Sequence, residues 1–318
     1  MSGIWPVLGS VFGVVSVMML GSLCRRRGWI PREVDQAFAN LITKILLPAY
    51  FFSRILAGPS LGSVGFAWLP AAFGFLITAL GFGIGLVFAR SVGKKFGLVS
   101  DSQQRAFALC VGICNYGYIP LPLAEKFYPD ALVPLILHNV GVELALWSFG
   151  VLVISGRQTG GWLRVLLSPP FVAVVLACVL RSWLGADALP AEAMVWMGAL
   201  GDCAIPLGLL LSGAVLSDFM AERSWLRSAA IPLVAVALRQ FVLPLIMLGS
   251  AFLLSVDEAM QKVVTIQAAM PSAVFSIVLV RLYGRDTATA IQVILGTSVA
   301  GVLLIPLWLV LGRAIFGF

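Results

Sequence analysis

The chain has 318 residues, of which 60% are hydrophobic and 11% charged, with a formal net charge of +7 and one histidine. A soluble domain carries roughly a quarter charged residues, so the composition excludes a water-soluble fold and points to an all-α polytopic membrane protein. The five cysteines show no ligand or framework spacing, and no GxxxxGK[ST], HExxH or GxSxG motif occurs. Neither a metal, a cofactor nor an enzymatic activity is therefore expected.

A membrane-spanning helix needs about 20 mainly apolar residues. On that measure ten spans are expected, near 5–24, 36–57, 64–89, 105–125, 131–154, 169–184, 194–217, 229–254, 260–280 and 287–312. Span 1 is followed, not preceded, by its basic cluster "CRRRGWIPR" (24–32), so it reads as a retained span rather than a signal peptide. Span 2 carries "LLPAYFFS" (46–53) with Lys44 and Arg54, both expected to snorkel towards the interfaces. Span 4 contains Asn115, Tyr116, Gly117, Pro120 and Pro122, and span 5 contains His138, Asn139 and Glu143. Asp202 lies in span 7, Arg239 and Gln240 in span 8, Gln267, Pro271 and Ser272 in span 9, and Gln292 in span 10.

The prolines suggest an internal repeat. "WP" (5–6) matches "SPP" (168–170), "LLPAYFFS" matches "AIPLGLLLS" (204–212), "WLP" (68–70) matches "AIP" (230–232), and "IPLPLA" (119–124) matches "AAMPSA" (268–273). Five spans is an odd number, so two such units, 1–158 and 159–318, have opposite membrane orientation, the plan of many carriers. Loops after the odd-numbered spans hold fourteen Lys and Arg, and the opposite side holds five. Positive loops face the cytoplasm, which places both termini outside it and makes the basic excess an orientation signal, not a nucleic-acid site.

Strongly polar side chains inside the hydrocarbon region are costly and usually line a pathway. In span 4 the missing N–H groups of Pro120 and Pro122 free the carbonyls of Tyr116 and Tyr118, and Gly117 permits an unwound backbone. In span 9 Pro271 frees the carbonyl of Gln267 beside small residues. Two broken helices crossing at mid-membrane are expected, since freed backbone groups at that depth must be met by protein or a water-filled cavity. Asn139 and Glu143 share a helix face at i, i+4. His138, whose imidazole titrates near neutrality, and Glu143 are the candidates for taking up a proton. Asp202 is expected to pair with Arg239 or Lys44 as a structural charge.

"CNYGYIPLPLAEKF", "ILLPAYFFSRI", "IPLGLLLSGAVL" and "IQAAMPSAVFSIVLVRLYG" resemble the auxin efflux carrier family, which includes bacterial malate or malonate permeases and the plant PIN auxin exporters. The resemblance implies ten spans in two inverted five-span repeats, a scaffold of spans 1, 2, 6 and 7, a transport part of spans 3–5 and 8–10, and elevator-like alternating access. It also implies that Asn115 hydrogen-bonds a substrate carboxylate at the crossover, with His138 and Asn139 as the polar pair of span 5. Plant members have Gln-Asn at that pair, and they carry an Asp and a Lys in span 3 that residues 66–88 lack.

The expected function is secondary transport of a small organic anion across a cell membrane. The carboxylate would be held by Asn115 and the half-helix N-termini, beside Tyr116, Gly117, Pro120, His138 and Asn139. Gln267, Pro271 and Ser272 would face it from span 9, and Tyr50 and Ser53 would close the other wall. Homodimerisation through the scaffold fits such a design. A cation/proton antiporter of related plan is the rival within transport, and a membrane-embedded enzyme or sensor is the rival outside it.

Overall fold

In a computed structural model the structure describes residues 4–58, 68–156, 166–185, 188–221 and 229–318, and among these every regular element is helical. Seven helices are long and apolar enough to cross a membrane: Leu8–Arg26, Arg32–Ala57, Trp68–Ser91, Pro129–Ser155, Ala191–Ala221, Ala230–Leu253 and Thr287–Phe316. Pro169–Leu184 is a shorter apolar helix. Two further apolar segments are interrupted by non-helical backbone.

The first helix, α1 (Ile4–Arg26), ends in Arg25 and Arg26. The second span consists of α2 (Asp35–Leu41), a π-turn at Ile42–Leu46 and α3 (Leu47–Ala57). The π-turn precedes Pro48, whose missing N–H cannot serve the carbonyl four residues back, and widening the helix absorbs the mismatch. Helix α4 (Trp68–Ser91) is followed by α5 (Asp101–Gly112), which starts with a capping box between Ser100 and Gln103. After the interruption come α6 (Pro120–Phe127), α7 (Leu132–Ala145), a π-turn at Leu146–Gly150, and α8 (Val151–Ser155). The first residues predicted for span 3 lie outside the described residues.

In the second half α9 (Pro169–Leu184) is capped by Ser168. The predicted seventh span is offset at Cys203 into α10 (Ala191–Asp202) and α11 (Ala204–Ala221), where Pro206 withholds an N–H from the carbonyl of Asp202. Helix α12 (Ala230–Ala237), a π-turn at Leu238–Val242 and α13 (Leu243–Leu253) follow, again with a proline, Pro244, just beyond the π-turn. The carbonyl of Gln240 that Pro244 leaves free accepts the indole N–H of Trp308 at 2.8 Å. The chain closes with α14 (Glu258–Ala269), α15 (Ser276–Leu282) and α16 (Thr287–Phe316), the first capped by Asp257 and the last by Asp286.

Between apolar helices in lipid, close approach through small residues replaces a hydrophobic drive. Gly21 of α1 lies against the backbone of Leu210, and Gly213 of α11 lies against Met18, so these helices interlock at two points where any Cβ would collide. Gly74 against His138 and Gly141 against Ala71 do the same for α4 and α7. The apolar side chains left outside, among them Phe12, Leu76, Trp196, Leu253 and Leu303, form an exposed belt suited to lipid tails.

Buried side chains form two clusters. One gathers Tyr50, Ile55, Leu121, Leu135 and Val263; the other gathers Phe82, Phe107, Ile277, Ile291 and Ile294. They meet at the two interruptions: Cys114 and Met270 belong to the first, while Ile113 and Ala273 belong to the second.

The charged residues also segregate by end of the bundle. At one end Arg25 and Arg32 pair with Asp218, while Arg105 and Arg285 pair with Asp101. At the other, Arg54 pairs with Glu125 and Asp202, and Lys262 with Asp130 and Glu258.

Candidate functional site

Residues 113–119 between α5 and α6 and residues 270–275 between α14 and α15 are non-helical and cross antiparallel. Cys114 and Ser272 form a β-bridge, flanked by Asn115 N–H to the Pro271 carbonyl at 2.7 Å and Ala273 N–H to the Ile113 carbonyl at 3.1 Å. Each strip thus satisfies the other's backbone at a depth where no water is guaranteed. The Ser272 N–H, facing away from its partner strip, is accepted by the Thr297 hydroxyl of α16 at 3.2 Å.

The carbonyls freed by proline are met in two different ways. Asn139 of α7 donates to the Tyr116 carbonyl at 2.6 Å, and its own oxygen accepts from Gln267 Nε2 at 2.8 Å. The Gln267 oxygen in turn accepts the Cys114 thiol at 3.1 Å. On the other strip Arg239 donates to the carbonyls of Met270 at 3.1 Å and Gln267 at 3.4 Å. An amide closes the first break and a guanidinium the second.

Asn115, Tyr116, Gly117 and Tyr118 are the partly exposed residues of the span-4 strip, and Val274 and Phe275 are the accessible ones of the other. The backbone of Asn115 is fixed by its bond to Pro271, yet among the described residues its carboxamide has no partner. A rigid backbone with an unengaged amide is suited to receiving a carboxylate, which accepts the amide N–H without a fixed counter-charge.

Several residues expected at the substrate wall lie deeper. Gln267, Ser272 and His138 are fully buried, and Pro120 and Pro271 are enclosed. The polar pair of α7 diverges: Asn139 points to the crossing strips, while His138 sits beside Phe73 with its ring centroid 6.3 Å away. Glu143 is partly exposed, one turn beyond Asn139. Tyr50 is buried, its hydroxyl donating to Glu125 at 3.4 Å, and the Ser53 hydroxyl turns back to the Tyr50 carbonyl.

The charge pairing differs from expectation. Asp202 pairs with Arg54 at 2.8 Å, not with Arg239 or Lys44, because Arg54 reaches from α3 to the end of α10 rather than snorkelling outward. Arg54 also pairs with Glu125 of α6 and lies 5.2 Å over the Tyr50 ring. Arg239 is 2% exposed and bonds to backbone. Sequence reasoning missed Glu125, five residues after Pro120 in the quoted motif, because a charge near a span end reads as a loop residue. It also missed Tyr118, whose ring fills the space above Gly208 where a Cβ would collide.

Comparison with known proteins agrees with this architecture. The family described as "Membrane transport protein" matches residues 6–161 and 157–309. An "Uncharacterized transporter" of Methanothermobacter thermautotrophicus is 24% identical over 304 residues, covering 94% of this chain and 96% of the relative. A second "Uncharacterized transporter", from Methanocaldococcus jannaschii, is 21% identical over 304 residues, covering 93% and 95% respectively. Matched over nearly its whole length, the chain belongs to the Membrane transport protein family, the auxin-efflux-carrier-like group that its crossover motif resembles.

Proposed function

We propose that this integral membrane transporter carries small organic anions, most simply carboxylates such as malate, malonate or auxin-like acids, and binds them at the crossing of the two non-helical strips. The observation that carries the reading is the crossing itself: Asn115 is locked by its backbone to Pro271, and its carboxamide is left unengaged at the accessible edge. Broken helices in matching positions of two halves are the strongest pointer to a carrier's site. Amides and a buried guanidinium at the crossing favour an anion over the cation of an antiporter, which needs a carboxylate in that place.

The fold we propose has ten spans in two inverted repeats, 1–158 and 159–318, built from the seven long helices, the shorter α9 and the two interrupted segments. The packing supports it. Helix α1 packs on α11 as α9 packs on α3, α4 packs on α5 as α13 packs on α14, and α4 packs on α7 as α12 packs on α16. Each pair maps onto its counterpart when span n is exchanged for span n+5.

Spans 1, 2, 6 and 7 would form a fixed, dimer-forming scaffold. Spans 3–5 and 8–10 would carry the site past it, with the end bearing Arg25, Arg105 and Arg285 towards the cytoplasm and both termini outside. The close contact of the Tyr118 ring on Gly208 lies between these two parts. Glu143 and His138 are the groups proposed to exchange a proton during the cycle.

Counterflow in proteoliposomes tests the proposal. A panel of radiolabelled mono- and dicarboxylates, with and without proton and sodium gradients, is expected to reveal exchange of at least one acid, lost in Asn115→Ala. Absence of carboxylate exchange, or full exchange by the variant, would refute it.

A further inference from the structure

Helix α4 ends in a basic turn. Arg90 lies in its last turn, and the short 3₁₀ turn Gly93–Phe96 that follows carries Lys94 and Lys95. All three side chains are exposed, and among the described residues none pairs with a carboxylate. The chain has no acidic residue between Leu80 and Ser100, and the next one, Asp101, is already held by Arg105 and Arg285. At the same end Arg25 and Arg32 share Asp218. The three cations of the α4 turn thus stand together without a counter-charge.

An apolar groove of about 490 Å³ runs from this turn along one face of α4. Leu80, Gly83, Ile84, Val87 and Phe88 form one wall, Leu238 of the π-turn after α12 forms the other, and Ser91 and Val92 lie at the basic end. The α4 positions recur at steps of three and four, which makes them one stripe of the helix. Gly83 leaves the floor open, with no atom within 4 Å of where a Cβ would stand. The basic turn is fixed to the groove, because the Lys95 N–H donates to the Val92 carbonyl at 3.0 Å and the Phe96 ring stacks on Phe88 with centroids 5.8 Å apart. From Leu80 to Ser91 the helix rises about 16 Å, and the hydrocarbon of one leaflet is about 15 Å deep, half of a ~30 Å core. The groove therefore has the depth of a single leaflet, with the cations at its headgroup end.

We propose that the groove between α4 and Leu238 holds one acyl chain of an anionic phospholipid whose phosphate is met by Arg90, Lys94 and Lys95. Basic residues at the membrane surface attract anionic headgroups, whereas a zwitterionic phospholipid brings a cation of its own to the turn and gains less. The seated chain packs on Leu238, the first residue of the π-turn whose Arg239 donates to the Met270 carbonyl, and so braces the support of the crossing strips. The lipid is a structural ligand, separate from the carboxylate position at Asn115.

The test is thermal unfolding of the detergent-purified full-length protein with added phosphatidylglycerol, phosphatidylcholine of the same acyl chains, or glycerol phosphate. A saturable rise in Tm is expected with phosphatidylglycerol and with neither of the others. Combining Arg90→Gln, Lys94→Gln and Lys95→Gln raises the half-saturating phosphatidylglycerol concentration about a hundredfold, the effect of three basic residues at an anionic surface. Gly83→Leu, which fills the groove and leaves the cations in place, raises it about tenfold, the loss of about two buried methylenes. Arg27→Gln, which removes an exposed cation outside the groove, leaves it unchanged. Equal rises with the two phospholipids would mean unspecific lipid contact, and a rise with glycerol phosphate would mean a free-phosphate site. Either result, no rise at all, unchanged half-saturation in the triple variant or in Gly83→Leu, or an equal loss in Arg27→Gln would overturn the proposal. Absence of carboxylate binding with the lipid response intact would remove the transport reading alone.

Discussion

Asn139 occupies a position where one side chain serves two freed groups, donating to the Tyr116 carbonyl and accepting from Gln267. Asn139→Leu keeps the volume but leaves both groups buried and unpaired, so a loss of about 1–3 kcal/mol is expected from the desolvation penalty. Chemical denaturation in detergent measures it; a neutral result would show that the crossing is satisfied by other means. Arg54 gives the opposite expectation. It makes two ion pairs, but Arg54, Glu125 and Asp202 are all partly solvated, so Arg54→Gln should cost no more than about 1 kcal/mol in the same measurement. The sequence made Asn115 and the prolines legible because a broken helix is a local event. Pairings such as Asp202 with Arg54, or Arg239 with backbone carbonyls, depend on which helices become neighbours, which no local pattern states.

At the scale of the element, the helix interruptions are written in the chain: proline withholds an N–H, and the freed carbonyl must find a donor. The π-turns before Pro48 and Pro244 are the milder form of the same event. Their donors were not legible. Trp308, from the last helix, meets the carbonyl freed by Pro244, and Trp308→Phe is expected to cost about 1 kcal/mol in the same denaturation assay, the value of one net hydrogen bond. Helix contacts through glycine were equally hidden, since Gly213, pressed on Met18, looks no different in sequence from Gly198, which has open space around it. Gly213→Val should therefore destabilise by about 1–3 kcal/mol, an overpacking cost, while Gly198→Ala, with open space around it, does not destabilise. Equal effects in detergent unfolding would contradict the interlock of α1 with α11.

Over the whole molecule, the apolar composition dictated a bundle of membrane helices, and the pairing of prolines suggested its two halves. The mutual exchange of packing partners between those halves supports the inverted plan. One contact that an elevator must break and remake is Tyr118 over Gly208, between a strip proposed to move and a helix proposed to stay; the Arg54–Glu125 and Lys126–Ser10 pairs lie on the same boundary. Joining Tyr118→Cys to Gly208→Cys with a mercury bridge should abolish counterflow, with recovery on reduction, whereas the unbridged double variant stays active. Undiminished counterflow in the bridged protein would exclude relative motion of the two parts.

The central claim is that the carboxamide of Asn115, held rigid by the opposing strip, binds the substrate carboxylate. Equilibrium binding of the best exchanged carboxylate to the purified protein and to Asn115→Ala tests this without assuming any transport mechanism. Losing an amide-to-carboxylate hydrogen bond of about 1.5–3 kcal/mol should weaken binding about ten- to a hundredfold while the thermal stability of the unliganded protein is unchanged. An unaltered Kd in the folded variant would contradict the account.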